Sequence, residues 1–296
     1  MTQAISASGD SSSAVYERQG DIWLPTELSR GPWDARSQHG GAPCALLAHA
    51  AESAVTEPGW RLARLSVELI KPVPIAPLKT RSNLQSSRAT SRLTIDLLAG
   101  DLLVARAHAL LLRGEQLTLP ADLPAGWSPN QLEPLPANCK DRVRIPGLPD
   151  GRSFYQTAME TRVAQGDPSQ AGSSAAWFRL TVPIVQGAPT SPAMRAAAAS
   201  DFGNGLSWVL PADRYLFANA DLSLHLHREP VGEWIGLFSG TEVHGSGTGI
   251  TMSRLYDEMG PIGIALQTLL LRERPTKQAR TDLGMSACRI PSARSL

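Results

Sequence analysis

The chain has 296 residues, a net charge of +1, 42% hydrophobic and 19% charged residues, which is ordinary for a soluble globular protein with room for two domains. A near-zero charge offers no concentrated basic face, so nucleic acid is not an expected partner, and no apolar run reaches the about 18 residues of a membrane span. Cys44, Cys139 and Cys288 lie far apart, which argues against a disulfide framework or a C-x-x-C metal site.

In chain order, residues 1–15 are Ser-rich and polar, without the basic start and apolar run of a secretion signal. They are expected to be disordered, in a cytoplasmic protein with reduced thiols. Gly40 to Val55 reads as a helix apolar nearly all round, hence buried, with Pro43 tolerated near its first turn. Residues 62–72, 78–87, 91–99 and 102–113 read as strands, separated by proline, polar and Gly100-Asp101 breaks. One buried helix followed by four antiparallel strands is an α+β layer arrangement. Residues 114–153 contain seven prolines and read as a linker. From residue 154 the pattern resumes. A strand is expected over 174–183, and a helix over 192–208 broken by Asp201-Phe202-Gly203-Asn204-Gly205. Strands follow over 215–227, 233–243, 249–257 and 263–272, then a polar tail over 274–296.

The two halves repeat one another. Leu65-Ser66-Val67-Glu68-Leu69-Ile70-Lys71 reads like Leu222-Ser223-Leu224-His225-Leu226-His227-Arg228, an offset of 157 residues. Ala107 to Arg113 reads like Leu266 to Arg272, aligned from Leu110 to Leu269 at an offset of 159. A module of residues 16–113 is thus duplicated in residues 154–273. This alignment sets His108 against Gln267, and chemical differences between copies point toward function.

Several pieces, in this order, resemble the acyl-CoA thioesterase family with a double hotdog fold. They are Gln38-His39-Gly40-Gly41, Lys71-Pro72-Val73-Pro74, Asp201 to Gly205, Asn219 to Arg228, Gly232-Glu233-Trp234 and Ala265 to Leu270. The resemblance spans roughly residues 30–113 and 175–273. It implies two tandem hotdog modules, each an antiparallel sheet wrapped around a long helix. It also implies an active site between them, an acyl-CoA substrate, no cofactor and a homo-oligomer. Carried over by position, the family's Asp falls on Asp201 and its Gln on Gln267. Its Thr position holds Asn219, which can still hydrogen-bond a water.

Thioester hydrolysis needs a positioned water, an acceptor for its proton and donors for the oxyanion. Asp201 is the candidate acceptor, and Asn219 and Gln267 are candidates to hold the water. His39, Gly40 and Gly41 are candidate substrate contacts, with the backbone N–H of Gly40 or Gly41 at the helix start facing the oxyanion. Lys71, Arg106 and Arg228 are candidate partners of the CoA phosphates. Structural readings stand beside these. Asp201 can cap or solvate a helix end, Gln267 can make a plain buried bond, Asn219 can close a turn, and His39 can cap its helix. His225 and His227 share a strand face but lack a third ligand, so no metal is expected. Asp257-Glu258 reads as a solvated loop, and Gly245 to Gly249 as a hairpin. The absence of G-x-S-x-G argues against an α/β-hydrolase. Two rival functions remain: a hydratase or dehydratase, requiring His39 and Asp201 to meet, and a non-catalytic acyl-CoA-binding module.

Overall fold

The computed structural model describes residues 14–274 except 123, 125, 127, 128, 147, 149 and 150. The expected disorder over residues 1–13 and the polar tail from residue 275 lie outside the described residues. Ala14 and Val15, expected within the disordered start, are buried, and the Val15 N–H donates to the Pro183 carbonyl.

The first half opens with a hairpin, β1 (Tyr16–Gln19) and β2 (Ile22–Pro25). Helix α1 (Gly41–Ser53) follows, then β3 (Trp60–Glu68), β4 (Leu78–Ser86), β5 (Thr90–Ala99) and β6 (Leu102–Arg113). The second half holds β7 (Met159–Gln165), β8 (Ser174–Leu180), α2 (Pro192–Ser200) and the short α3 (Gly203–Leu206). It ends with β9 (Tyr215–Asn219), β10 (Asp221–Leu226), β11 (Trp234–His244), β12 (Thr248–Asp257) and β13 (Gly260–Glu273). The strand expected over 215–227 is two strands divided at Ala220, both pairing with β13. The hairpin expected at Gly245 to Gly249 is present, with Gly245 to Gly247 as its turn and Thr248 and Gly249 already in β12.

One sheet runs through both halves in the order β1-β2-β4-β5-β6-β3-β10-β13-β12-β11-β8-β7. Its centre is the antiparallel pair β3–β10, where Ser66 lies opposite Ser223. These residues are repeat mates at the 157-residue offset read from the sequence. The Ser223 hydroxyl donates to Ser66 Oγ at 3.2 Å. The duplication is therefore a pseudo-two-fold rotation whose axis passes through this pair. The ladders also correct the pairing of His108 with Gln267. His108 stands opposite Ser66 in β6, whereas Leu266 stands opposite Ser223 in β13. Gln267 thus corresponds to Ala109. A one-residue slip exchanges the faces of a strand: His108 is exposed and Gln267 is buried.

Helices α1 and α2 pack antiparallel inside the curled sheet. Helix α1 is buried along most of its length. Helix α2 starts at Ser191, whose hydroxyl accepts from the Met194 N–H at 3.1 Å, with Pro192 at the position where a missing N–H costs nothing. Small residues permit close approach. A β-carbon on Gly41 would lie 2.5 Å from the Ala198 carbonyl oxygen, a backbone atom that cannot swing aside. Gly41→Ala is expected to cost about 1–3 kcal/mol, read as a lower urea midpoint with an unchanged slope. At the opposite end the Ser191 hydroxyl donates to Glu52 at 2.6 Å. Burial raises the Glu52 carboxyl above the usual range, against the lowering effect of that bond.

Candidate active site

The start of α1 and the end of α2 meet, bringing His39, Gly40 and Gly41 of the first half against Asp201 of the second. The chain entering α1 is pinned on both sides. The Gln38 N–H donates to the Val73 carbonyl at 2.8 Å and the His39 N–H to the Ser29 carbonyl at 2.9 Å. The Gln38 amide donates to the Pro74 carbonyl at 2.8 Å and accepts from the buried Tyr16 hydroxyl. The His39 ring packs in an aromatic cluster with Phe202, 4.4 Å away, and Phe154, 5.3 Å away, whose own centroids lie 6.3 Å apart. This packing restrains the imidazole ring.

Asp201 closes α2 and is 8% exposed. Its Oδ1 accepts from the Asn219 amide at 2.8 Å and from the Gln267 amide at 3.4 Å. Its Oδ2 lies 3.0 Å from His39 Nδ1. A methyl group on Gly40 would sit 2.8 Å from Oδ2, so only glycine leaves room for the carboxylate. The positive end of α1 faces this carboxylate, while the negative end of α2 opposes it. Gln267 is 1% exposed. Its Nε2 also donates to the Asp201 carbonyl at 3.2 Å, and its Oε1 accepts from the Asn204 N–H at 3.1 Å. Gln267 therefore stitches the α2–α3 corner to β13 and reaches solvent space only through Asp201. Asn219 holds the same oxygen from the end of β9.

The Gly41 N–H donates to His39 Nδ1 at 3.1 Å. That nitrogen thus faces both an N–H donor and a carboxyl oxygen. With a proton on Nδ1, Asp201 is ionised and the Gly41 N–H is released. With the proton on Asp201, Nδ1 accepts from both. The Gly40 N–H has no hydrogen-bond acceptor among the described residues, so it is the donor open to a developing oxyanion.

These groups open on a cavity of about 920 Å³ bordered by His39, Gly40, Asp201 and Asn219. Its remaining wall is mainly apolar and aromatic, including Trp33, Tyr155, Phe202, Trp208 and Phe217. Trp33 meets Phe217 edge-on at 6.2 Å and is 53% exposed. An apolar cavity with a few convergent polar groups is the usual form of a small-molecule site.

Other expectations meet a different structure. Asp257 is not a solvated loop residue: it is 0% exposed, held by Arg228 at 2.6 Å and by the N–H groups of Val231 and Met259. Burial pushes its carboxyl upward, but these donors outweigh burial and keep it below the usual range. Arg228 is thereby engaged internally, and Arg106 is tied to Asp96 at 2.6 Å. Neither is a free partner for phosphate. Lys71 lies on the cavity rim. The aromatic cluster around His39 carried no sequence signal beyond Phe202 following Asp201. Phe154 arrives from the far side of the linker.

The family model described as acyl-CoA thioesterase N-terminal domain matches residues 29–113, and that described as acyl-CoA thioesterase C-terminal domain matches residues 129–271. No curated protein matches the chain at a significant level. Among solved structures, a “putative thioesterase” from Novosphingobium aromaticivorans is 22% identical, with a TM-score of 0.67 over 87% of this chain and 98% of that one. Acyl-CoA thioesterase II TesB2 from Mycobacterium marinum is 14% identical, with a TM-score of 0.60 over 88% and 95%. The dehydratase domain from the CurJ module of curacin polyketide synthase is 10% identical, with a TM-score of 0.51 over 85% and 92%. At these identities the likeness speaks to the fold, a double hotdog.

Proposed function

The chain belongs to the acyl-CoA thioesterase family, and on that premise we propose that it hydrolyses acyl-CoA to free CoA and a carboxylic acid at the junction of its two modules. The observation that carries this reading is the Asp201 carboxylate, held by Asn219 and Gln267 against Gly40 at the start of α1. The acyl group enters the apolar cavity and its carbonyl oxygen turns toward the Gly40 N–H. Asp201 takes a proton from water as the water oxygen bonds to the carbonyl carbon. Negative charge on the carbonyl oxygen is met by the Gly40 N–H and by the α1 dipole. The intermediate collapses with cleavage of the carbon–sulfur bond. The proton held by Asp201 passes to the departing CoA sulfur, leaving the acid and CoA thiol. Asn219 and Gln267 act here as positioning residues through Oδ1.

A second reading has support from one distance, the 3.0 Å between His39 Nδ1 and Asp201 Oδ2. Such a pair suits the addition or removal of water across a carbon–carbon double bond in an acyl thioester. One experiment separates the two: incubation of the protein with saturated and 2-enoyl-CoA substrates, following free thiol and 3-hydroxyacyl product in parallel. Thiol release from both substrates, with no 3-hydroxy product, is expected. A 3-hydroxy product without thiol would establish the second reading. Saturable binding with neither product would leave only the non-catalytic one.

A further inference from the structure

The linker contributes a basic stretch that the proposed chemistry does not use. Lys140, Arg142 and Arg144 alternate along an extended segment and are exposed, as is Asp141 between the first two, while Cys139 and Val143 are buried. This alternation turns the three cations to one side. The segment is fixed alongside β7: the Val163 N–H donates to the Asp141 carbonyl at 2.7 Å, and the Val143 N–H to the Thr161 hydroxyl at 3.2 Å. Among the described residues, none of the three cations has a carboxylate within ion-pair distance. Their neighbour Arg162 differs, bound to Glu160 at 2.8 Å.

Lys140 and Arg142 border a polar cleft of about 710 Å³ that also presents Thr157, Thr161, Thr181 and the Glu160–Arg162 ion pair. The same segment continues into Ile145 and Leu148, which border the apolar cavity. Arg142 lies over the Tyr155 ring at 5.8 Å, and Tyr155 packs at 5.9 Å from Phe202. One stretch of chain therefore borders an apolar chamber at one end and, at the other, a polar cleft where cations outnumber the single carboxylate of Glu160. A molecule joining an apolar acyl group to phosphates through a flexible arm matches both. Guanidinium and ammonium donors together with hydroxyl groups are the usual partners of phosphate oxygens.

We infer that Lys140, Arg142 and Arg144 hold the phosphates of the CoA portion while its acyl group occupies the apolar cavity. This inference rests on the thioester reading above, and its test is built to fail separately. Hydrolysis of one acyl group is compared as the CoA thioester and as the N-acetylcysteamine thioester, which lacks phosphates. The variants are Lys140→Glu with Arg144→Glu, whose side chains make no hydrogen bond among the described residues, and separately Arg142→Gln. For the CoA thioester, KM is expected to rise about tenfold in the double variant with kcat nearly unchanged, and the salt dependence of KM to weaken. For the N-acetylcysteamine thioester, kcat/KM should stay within twofold of wild type. An unchanged KM for the CoA thioester in both variants would overturn the inference while leaving hydrolysis intact. So would an equal loss on both thioesters. If wild type hydrolyses neither thioester, calorimetric binding of CoA to wild type and double variant decides instead. A tenfold weaker affinity supports the site, and equal affinities sink it.

Discussion

Asp201→Asn is expected to reduce kcat for acyl-CoA hydrolysis by about 10²–10⁴-fold with little change in stability. Asparagine keeps the shape of the side chain and an oxygen for the Asn219 and Gln267 amides. It lacks the capacity to accept a proton from water. The neighbouring contacts sharpen the expectation. His39 no longer faces a carboxylate at 3.0 Å. The proton acceptor is thus removed while the side-chain frame around it is kept. The check is steady-state kinetics of wild type and variant, with denaturant unfolding of both. A variant within threefold of wild-type kcat would remove Asp201 from the chemistry. A large loss of stability would make the activity result a folding effect.

The second large effect is on stability. Asp257→Ala removes the carboxylate that Arg228 and two backbone N–H groups share. Breaking one side of a buried pair costs about 3–5 kcal/mol. The lower end is expected here, because the Arg228 side chain is 31% exposed and water can partly replace its partner. Acid should shrink the difference. The folded carboxyl sits below its ordinary value, so its contribution is complete above the unfolded value of about 3.9 and is lost as pH falls through the folded value. Urea unfolding at pH 7 and pH 3 should therefore show a smaller gap between wild type and variant at the second than at the first. An equal gap at both pH values would mean that the charge of Asp257 is not what stabilises the fold.

Much of this architecture was legible because it was written twice. The 157-residue offset identified two related halves, and the ladder places its repeat mates Ser66 and Ser223 face to face. Asp201 was found because the family resemblance carries its Asp onto that position, and His39 and Gly40 because they open the buried helix in a matching piece. What failed were features set by pairing. The leucine runs in β6 and β13 look alike, but hairpin register decides which side each residue faces, and text similarity misjudged it by one position. Asp257 looked like a loop charge beside Glu258. Its partner Arg228 lies 29 residues away in the chain, and nothing local announces such a bond. Hairpin β1–β2 and strand β7 also escaped notice, being short or partly exposed.

The axis through Ser66 and Ser223 has a further meaning. Two identical subunits related by rotation must carry every substitution at both ends of their helix pair. A single polypeptide is under no such obligation, and the two poles here have parted company. One pole sets bare Gly40 beside the Asp201 carboxylate. The other closes the corresponding corner with Ser191 bonded to Glu52, and alanine stands at Ala109 where its counterpart strand bears Gln267. Joining the halves thus lets one pole serve as scaffold while the other specialises, and on the proposed reading the expected stoichiometry is one acyl group for each chain.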